Sequence, residues 1–172
     1  MRFSPLQDGF ISLSLPRRFN SNALIAIAAI GAFVADQISK RLIVSSFMPG
    51  ESRIVIPHVL KWTYEQNTRG AFGLFGNNGI LLIAMAVVVL IVFWFSFRSA
   101  AAHSRLVCIA FGMIVGGAIG NITDRVHFGY VVDFVDVYKI WGDIFNVGDS
   151  CITIGVILLL FSQVGKSRRN PA

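Results

Sequence analysis

Residues 79–97 carry no charged side chain, and a helix of that length spans a hydrocarbon core about 30 Å thick. Lipid offers the backbone no hydrogen-bond partner, so such a run folds as a helix that satisfies its own amides. The rest of the chain agrees: 55% of its 172 residues are hydrophobic and 14% are charged. With a mean hydropathy of +0.68, these values lie outside the range of ordinary soluble domains. The chain reads as an integral membrane protein.

Three further apolar stretches, residues 23–35, 106–120 and 151–165, are each shorter than the roughly 20 residues a span needs. Each reaches membrane length only by taking in a flanking polar motif. The spacing predicts four transmembrane helices, over about 22–44, 78–97, 105–125 and 148–165. They form a single membrane domain over residues 21–166, between an N-terminal lead of residues 1–20 and a tail of residues 167–172.

Charge sets the expected orientation. Arg2, Arg17, Arg18, Arg98, Arg105, Lys166, Arg168 and Arg169 share their side of the membrane with a single acid, Asp8; the other seven basic residues face the remaining eight acids. By the positive-inside rule both termini and the 98–105 loop are cytoplasmic, and the 45–76 and 126–148 connections are external. The net charge of +6 follows this topology and is not gathered on one soluble face, so no nucleic-acid partner is expected. The lead reads as retained, because the apolar stretch after Arg17-Arg18 lacks a small-residue cleavage site and runs into Asp36. Cys108 and Cys151 lie in apolar spans as small hydrophobes, which implies neither disulfide nor metal.

This topology gathers the polar motifs at one level. The first helix ends outside with Asp36 and Lys40, and the second begins after Asn67-Thr-Arg-Gly-Ala-Phe72. The third ends with Asn121, Asp124 and Arg125, spaced to share a face, and the fourth begins with Asn146 and Asp149. Gly112, Gly116 and Gly120 recur every fourth residue, a packing signature that lets another helix approach closely. Within the 45–76 connection, Arg53-Ile-Val-Ile-Pro57 and Val59-Leu-Lys-Trp-Thr-Tyr64 read as short strands of a small external sheet. Tyr130, Phe134, Tyr138 and Trp141 give the 126–148 connection an interfacial composition.

An ionisable side chain at membrane depth marks a functional site by default. Two carboxylates around one water share a proton, so one acts as base and the other as acid, without metal or cofactor. His58, His103 and His127 have no partners at metal-ligand spacing. Ser39 and Lys40 are adjacent and point apart on a helix, which disfavours a Ser/Lys dyad. Each acid also has a plainer reading. Asp36 pairs with Lys40, Asp124 is neutralised by Arg125 or an external arginine, Asp133 is an exposed loop acid and Asp149 a helix cap. Asp136 and Asp143 read as solvated loop acids. Spacing alone does not separate Asp124 from Asp133.

Taken together, Asp36-Gln-Ile-Ser-Lys40, Asn67-x-x-Gly-Ala-Phe72, Gly116-Gly-Ala-Ile-Gly-Asn-x-x-Asp-Arg125, Gly129-Tyr-Val-Val-Asp-Phe134 and Phe145-Asn-Val-Gly-Asp149 resemble the lipoprotein signal peptidase family, signal peptidase II. The resemblance covers roughly residues 23–165. It implies an aspartic endopeptidase of the bacterial inner membrane that removes signal peptides from diacylglyceryl-modified prolipoproteins, cutting before the lipidated cysteine. It further implies Asp133 and Asp149 as the catalytic pair, with Asp124 supporting and with Asn67, Asn121, Arg125 and Asn146 lining the cleft. Asp36 and Lys40 take a structural role in the first helix. Two positions depart from the family pattern: Gly148 stands where alanine is usual, and Arg69 where glycine is usual. The expected partners are the lipidated substrates and membrane lipids, and the expected working form is a monomer. Proton relay in a small transporter or lipid-binding protein is the competing reading of the same acids, although no inverted repeat is evident. An inactive member acting as a lipoprotein chaperone is a third reading, disfavoured because both acids are present.

Overall fold

The computed structural model describes residues 20–69, 78–101, 104–138 and 142–167. The lead before Asn20, Gly70, Ala71 and Phe72 of the second motif, His103, Trp141 and the tail from residue 168 lie outside the described residues. In chain order the elements are α1 (Ser21–Ser46), β1 (Ser52–Ile56), β2 (Leu60–Asn67), α2 (Gly79–Ala101), α3 (Arg105–Phe128), β3 (Val131–Asp136) and α4 (Val147–Ser167). Among the described residues α1, α2 and α3 are long and apolar enough to cross a membrane, and α4 carries a shorter apolar run, Val147–Ser162.

Capping residues start the first and third helices. The Asn20 side chain accepts from the Ala23 amide at 3.1 Å, and Ser104 does the same for Val107 at 3.4 Å. Gly129, at φ +79°, closes α3 in the left-handed region that glycine enters without a Cβ penalty, and turns the chain into β3.

Helix α3 is the hub, with α1, α2 and α4 all packed on it. The glycine ladder explains how α1 comes so close. A Cβ at Gly112 would lie 2.5 Å from the Ile25 carbonyl, one at Gly116 would strike the Ala29 carbonyl, and one at Gly120 the Asp36 carboxylate. These glycines therefore seat the backbone of α1, as their spacing predicts, and the last of them also makes room for an acid. On α1 the buried residues Ala32, Asp36, Lys40 and Ile43 form one stripe at helical spacing. The outward faces stay apolar, with Ile27, Ile80, Phe95 and Leu160 well exposed, as side chains facing lipid are. Val107, Cys108, Ala110, Ile114 and Leu159 form the core at one end of the bundle.

At the other end lies a three-stranded antiparallel sheet in the order β1-β2-β3. Ile43, Tyr64, Val132 and Phe134 pack together between the sheet and α1. The two expected strands are present, with Arg53 opposite Trp62. The third strand corrects the reading of 131–136 as loop. Its residues are almost wholly buried, because β3 sits between β2 and a further pairing of Val135 with Phe145. Asp136 is corrected as well. It is buried, ion-paired to Lys61 at 3.1 Å and hydrogen-bonded by Thr63 at 3.1 Å, rather than solvated.

Candidate active site

Backbone pairing delivers the two acids. Glu65 lies opposite Asp133 and Asn67 opposite Val131, after a β2 bulge between Trp62 and Glu65 that shifts the register. On the other side, the Phe145 carbonyl accepts from the Phe134 and Val135 amides at 3.0 and 2.7 Å, and the Phe145 amide donates back to Val135 at 3.1 Å. The clamp sets Asn146 beside Asp133. Helix α4 begins at the next residue.

The start of α4 is a reciprocal capping box. The Asn146 side-chain carbonyl accepts from the Asp149 amide at 2.8 Å, and the Asp149 carboxylate accepts from the Asn146 amide at 3.2 Å. Asp149 thus occupies the third helical position and Asn146 is the cap, a refinement of the expectation that Asp149 itself caps the helix. Its other oxygen accepts from the Asn121 amide group at 2.8 Å.

Asp133 is 2% exposed, which corrects the exposed-loop reading. Asn67 donates to one of its oxygens at 2.7 Å and Asn146 to the other at 2.6 Å. Burial, and next the Asp149 charge, push the Asp133 carboxyl up to about 7 against those two donors.

A second cluster lies behind the pair. The Lys40 ammonium reaches Asp36 at 2.8 Å, Asp124 at 2.9 Å and the Asn121 carbonyl oxygen at 2.9 Å. Asp36 also accepts from the Gly148 amide at 2.8 Å. Asp124 takes further donors from Gln37 at 3.0 Å and the Val132 amide at 3.1 Å. Lysine, not Arg125, therefore neutralises Asp124. Arg125 donates to the Asn121 backbone carbonyl at 3.3 Å.

A cavity of about 940 Å³ opens over the acids, lined by Asn67, Asn121, Arg125, Asp133 and Asp149 together with Glu65, Arg69 and Asp143. Ile152 and Ile154 of α4 give it an apolar side. Asn146 does not line it: fully buried, it bridges the acids from behind, contrary to the expectation of a cleft residue. Asp36, Lys40 and Asp124 are likewise buried and absent from the wall. Sequence reasoning missed Gln37 and Glu65. Gln37 sits inside the first motif beside Asp36, a signal that was available, whereas Glu65 is brought in by strand pairing.

Known proteins are similar to this chain over most of its length. The model of signal peptidase (SPase) II matches residues 28–164. The lipoprotein signal peptidase of Moorella thermoacetica is 36% identical over 148 residues, covering 84% of this chain and 97% of that protein. That of Caldanaerobacter subterraneus subsp. tengcongensis is 42% identical over 142 residues, covering 83% and 96%. A solved bacterial membrane enzyme is similar with a TM-score of 0.81 and 29% identity, covering 91% of this chain and 96% of its own. The match runs from the first helix through the last and includes every motif described above, so this chain belongs to the signal peptidase II family.

Proposed function

We propose that this protein is a membrane aspartic endopeptidase that removes signal peptides from diacylglyceryl-modified prolipoproteins, cutting on the amino side of the lipidated cysteine. The observation that carries the reading is the meeting of Asp133 and Asp149 at one cavity, tied together by Asn121 and Asn146. Family membership supports the substrate class.

In the proposed reaction Asp133 holds the shared proton, in keeping with its carboxyl being pushed up to about 7, and Asp149 is the base. Asp149 takes a proton from water as the oxygen attacks the scissile carbonyl, and Asp133 donates to that carbonyl oxygen. Collapse of the tetrahedral intermediate expels the amine, which leaves protonated by Asp149, while Asp133 recovers its proton. Asn67 and Asn121 keep the acids oriented, and Arg125 offers donors to the substrate backbone. In this reading α4 completes four spans, the termini are cytoplasmic, and the site lies near the outer leaflet of the bacterial inner membrane. The lipid stays in the bilayer and sets the depth of the scissile bond.

The test is incubation of the purified protein with lipidated and unlipidated forms of one prolipoprotein, with mass spectrometry of the products. Release of a fragment beginning at the lipidated cysteine, from the lipidated form alone, is expected. Equal cleavage of both forms, or ion flux in proteoliposomes without cleavage, would sink the reading.

A further inference from the structure

Lys40 is 3% exposed and makes three contacts with its three N–H donors: Asp36, Asp124 and the side-chain oxygen of Asn121. Only the oxygen of a carboxamide can face an ammonium, so Lys40 dictates which way the Asn121 amide points. Its NH2 end is thereby left for Asp149, at 2.8 Å. The same oxygen also accepts from the Asn146 amide at 3.1 Å, and Asn146 in turn donates to Asp133 at 2.6 Å. Turned the other way, the Asn121 oxygen would face the Asp149 carboxylate, and its NH2 would face Lys40 and the Asn146 NH2. One ammonium outside the cavity thus sets the direction of every hydrogen bond in a chain that ends on both acids.

We infer that Lys40 is a positioning residue for the cleavage reaction, acting through Asn121 and Asn146 to aim hydrogen-bond donors at Asp149 and Asp133. The inference rests on the proposed peptidase reading and extends it from the cavity wall to a residue buried in α1. The charge of Lys40 also acts on Asp133, which it lowers against burial and against Asp149. Asp149 faces Asp133 from α4, Arg125 from α3 and Glu65 from β2.

The experiment compares wild type, Lys40→Arg, Lys40→Met, Asn121→Ala and the Lys40→Arg/Asn121→Ala double variant. Each is assayed on a diacylglyceryl-modified prolipoprotein under single-turnover and steady-state conditions across pH. Arginine keeps the charge, but its planar fork does not set three donors on three acceptors around one point. Lys40→Arg is therefore expected to lower kcat roughly 100-fold, the scale of a small misplacement of reacting groups, with KM and the alkaline limb of the pH profile near wild type. In Lys40→Met the alkaline limb is expected at higher pH, because the positive charge opposing protonation of Asp133 is gone. The double variant is expected to be no slower than Asn121→Ala alone, because the connection is already cut.

A purely structural lysine predicts loss of folded protein with an unchanged kcat per folded molecule and an unmoved limb. Those results, or losses that multiply in the double variant, overturn the inference. If Lys40→Met fails to insert, the arginine cycle decides alone. A wild-type protein that does not cleave overturns the peptidase reading itself, which separates the two failures.

Discussion

Asp133 and Asp124 are both buried acids held by several donors, yet their partners differ in kind. Asp124 meets an ammonium, a glutamine and a backbone amide, all directed away from the cavity, whereas Asp133 meets two neutral amides and lies at the cavity wall. A buried acid with no cation in contact holds its proton to higher pH. Since the proposed reaction needs that proton, activity is expected to fall as pH rises through about 7, the value to which Asp133 is pushed. The stability effect has the same sign. Between the ordinary value of 3.8 and about 7 the folded state binds a proton that the unfolded state has released, so this contribution is full at low pH and lost as pH rises through that window. Thermal unfolding between pH 5 and 8 should show this decline in wild type and a flatter profile in Asp133→Asn. The same decline in both would contradict the assignment. The separation of Asp124 from Asp133 was not legible in the sequence, because both are single acids in apolar sequence, one in the last turns of α3 and one just beyond it. It depends on Lys40 and Val132, one far from Asp124 in the chain and one just beyond a turn.

At the scale of elements, α4 begins at the capping box, and Asn146 serves both as cap and as bridge to Asp133. Asn146→Ala should cost about 1 kcal/mol of stability from the lost cap. Its activity loss should far exceed what that destabilisation explains, measured as kcat on folded protein beside a melting curve. The seat of α1 on α3 gives a second expectation. Gly116→Ala inserts a methyl against the Ala29 carbonyl and the Ala32 side chain, and overpacking of this kind costs typically 1–3 kcal/mol. A lowered melting temperature is expected; an unchanged one would mean that the helices part without cost. The glycine spacing and the apolar runs were legible because they are local and periodic. The strand β3 was not. Its Val-Val-Asp-Phe-Val-Asp sequence is buried on both faces, so it lacks the polar alternation of a half-exposed strand. Its pairing with β2 also joins residues some 66 positions apart, as with Asn67 and Asp133.

For the whole molecule, residues from β2, α3, β3 and α4 share one cavity. The succession of apolar spans, with charge setting the sides, predicted such a convergence, although the exact partners required the three-dimensional pairing. Single cysteines introduced at Ile54 of β1 and at the exposed Ser99 of α2, on a background lacking Cys108 and Cys151, test the topology. The first should label from the outside of intact cells and the second should not; labelling of position 99 from outside would reverse the orientation. The central claim, that Asp133 and Asp149 act as one catalytic pair, is tested most directly by single-turnover cleavage of a diacylglyceryl-modified prolipoprotein by purified wild type, Asp133→Asn and Asp149→Asn, with insertion and folding verified for each. The account predicts cleavage by wild type and none by either variant. Cleavage by a folded variant at the wild-type rate would contradict it.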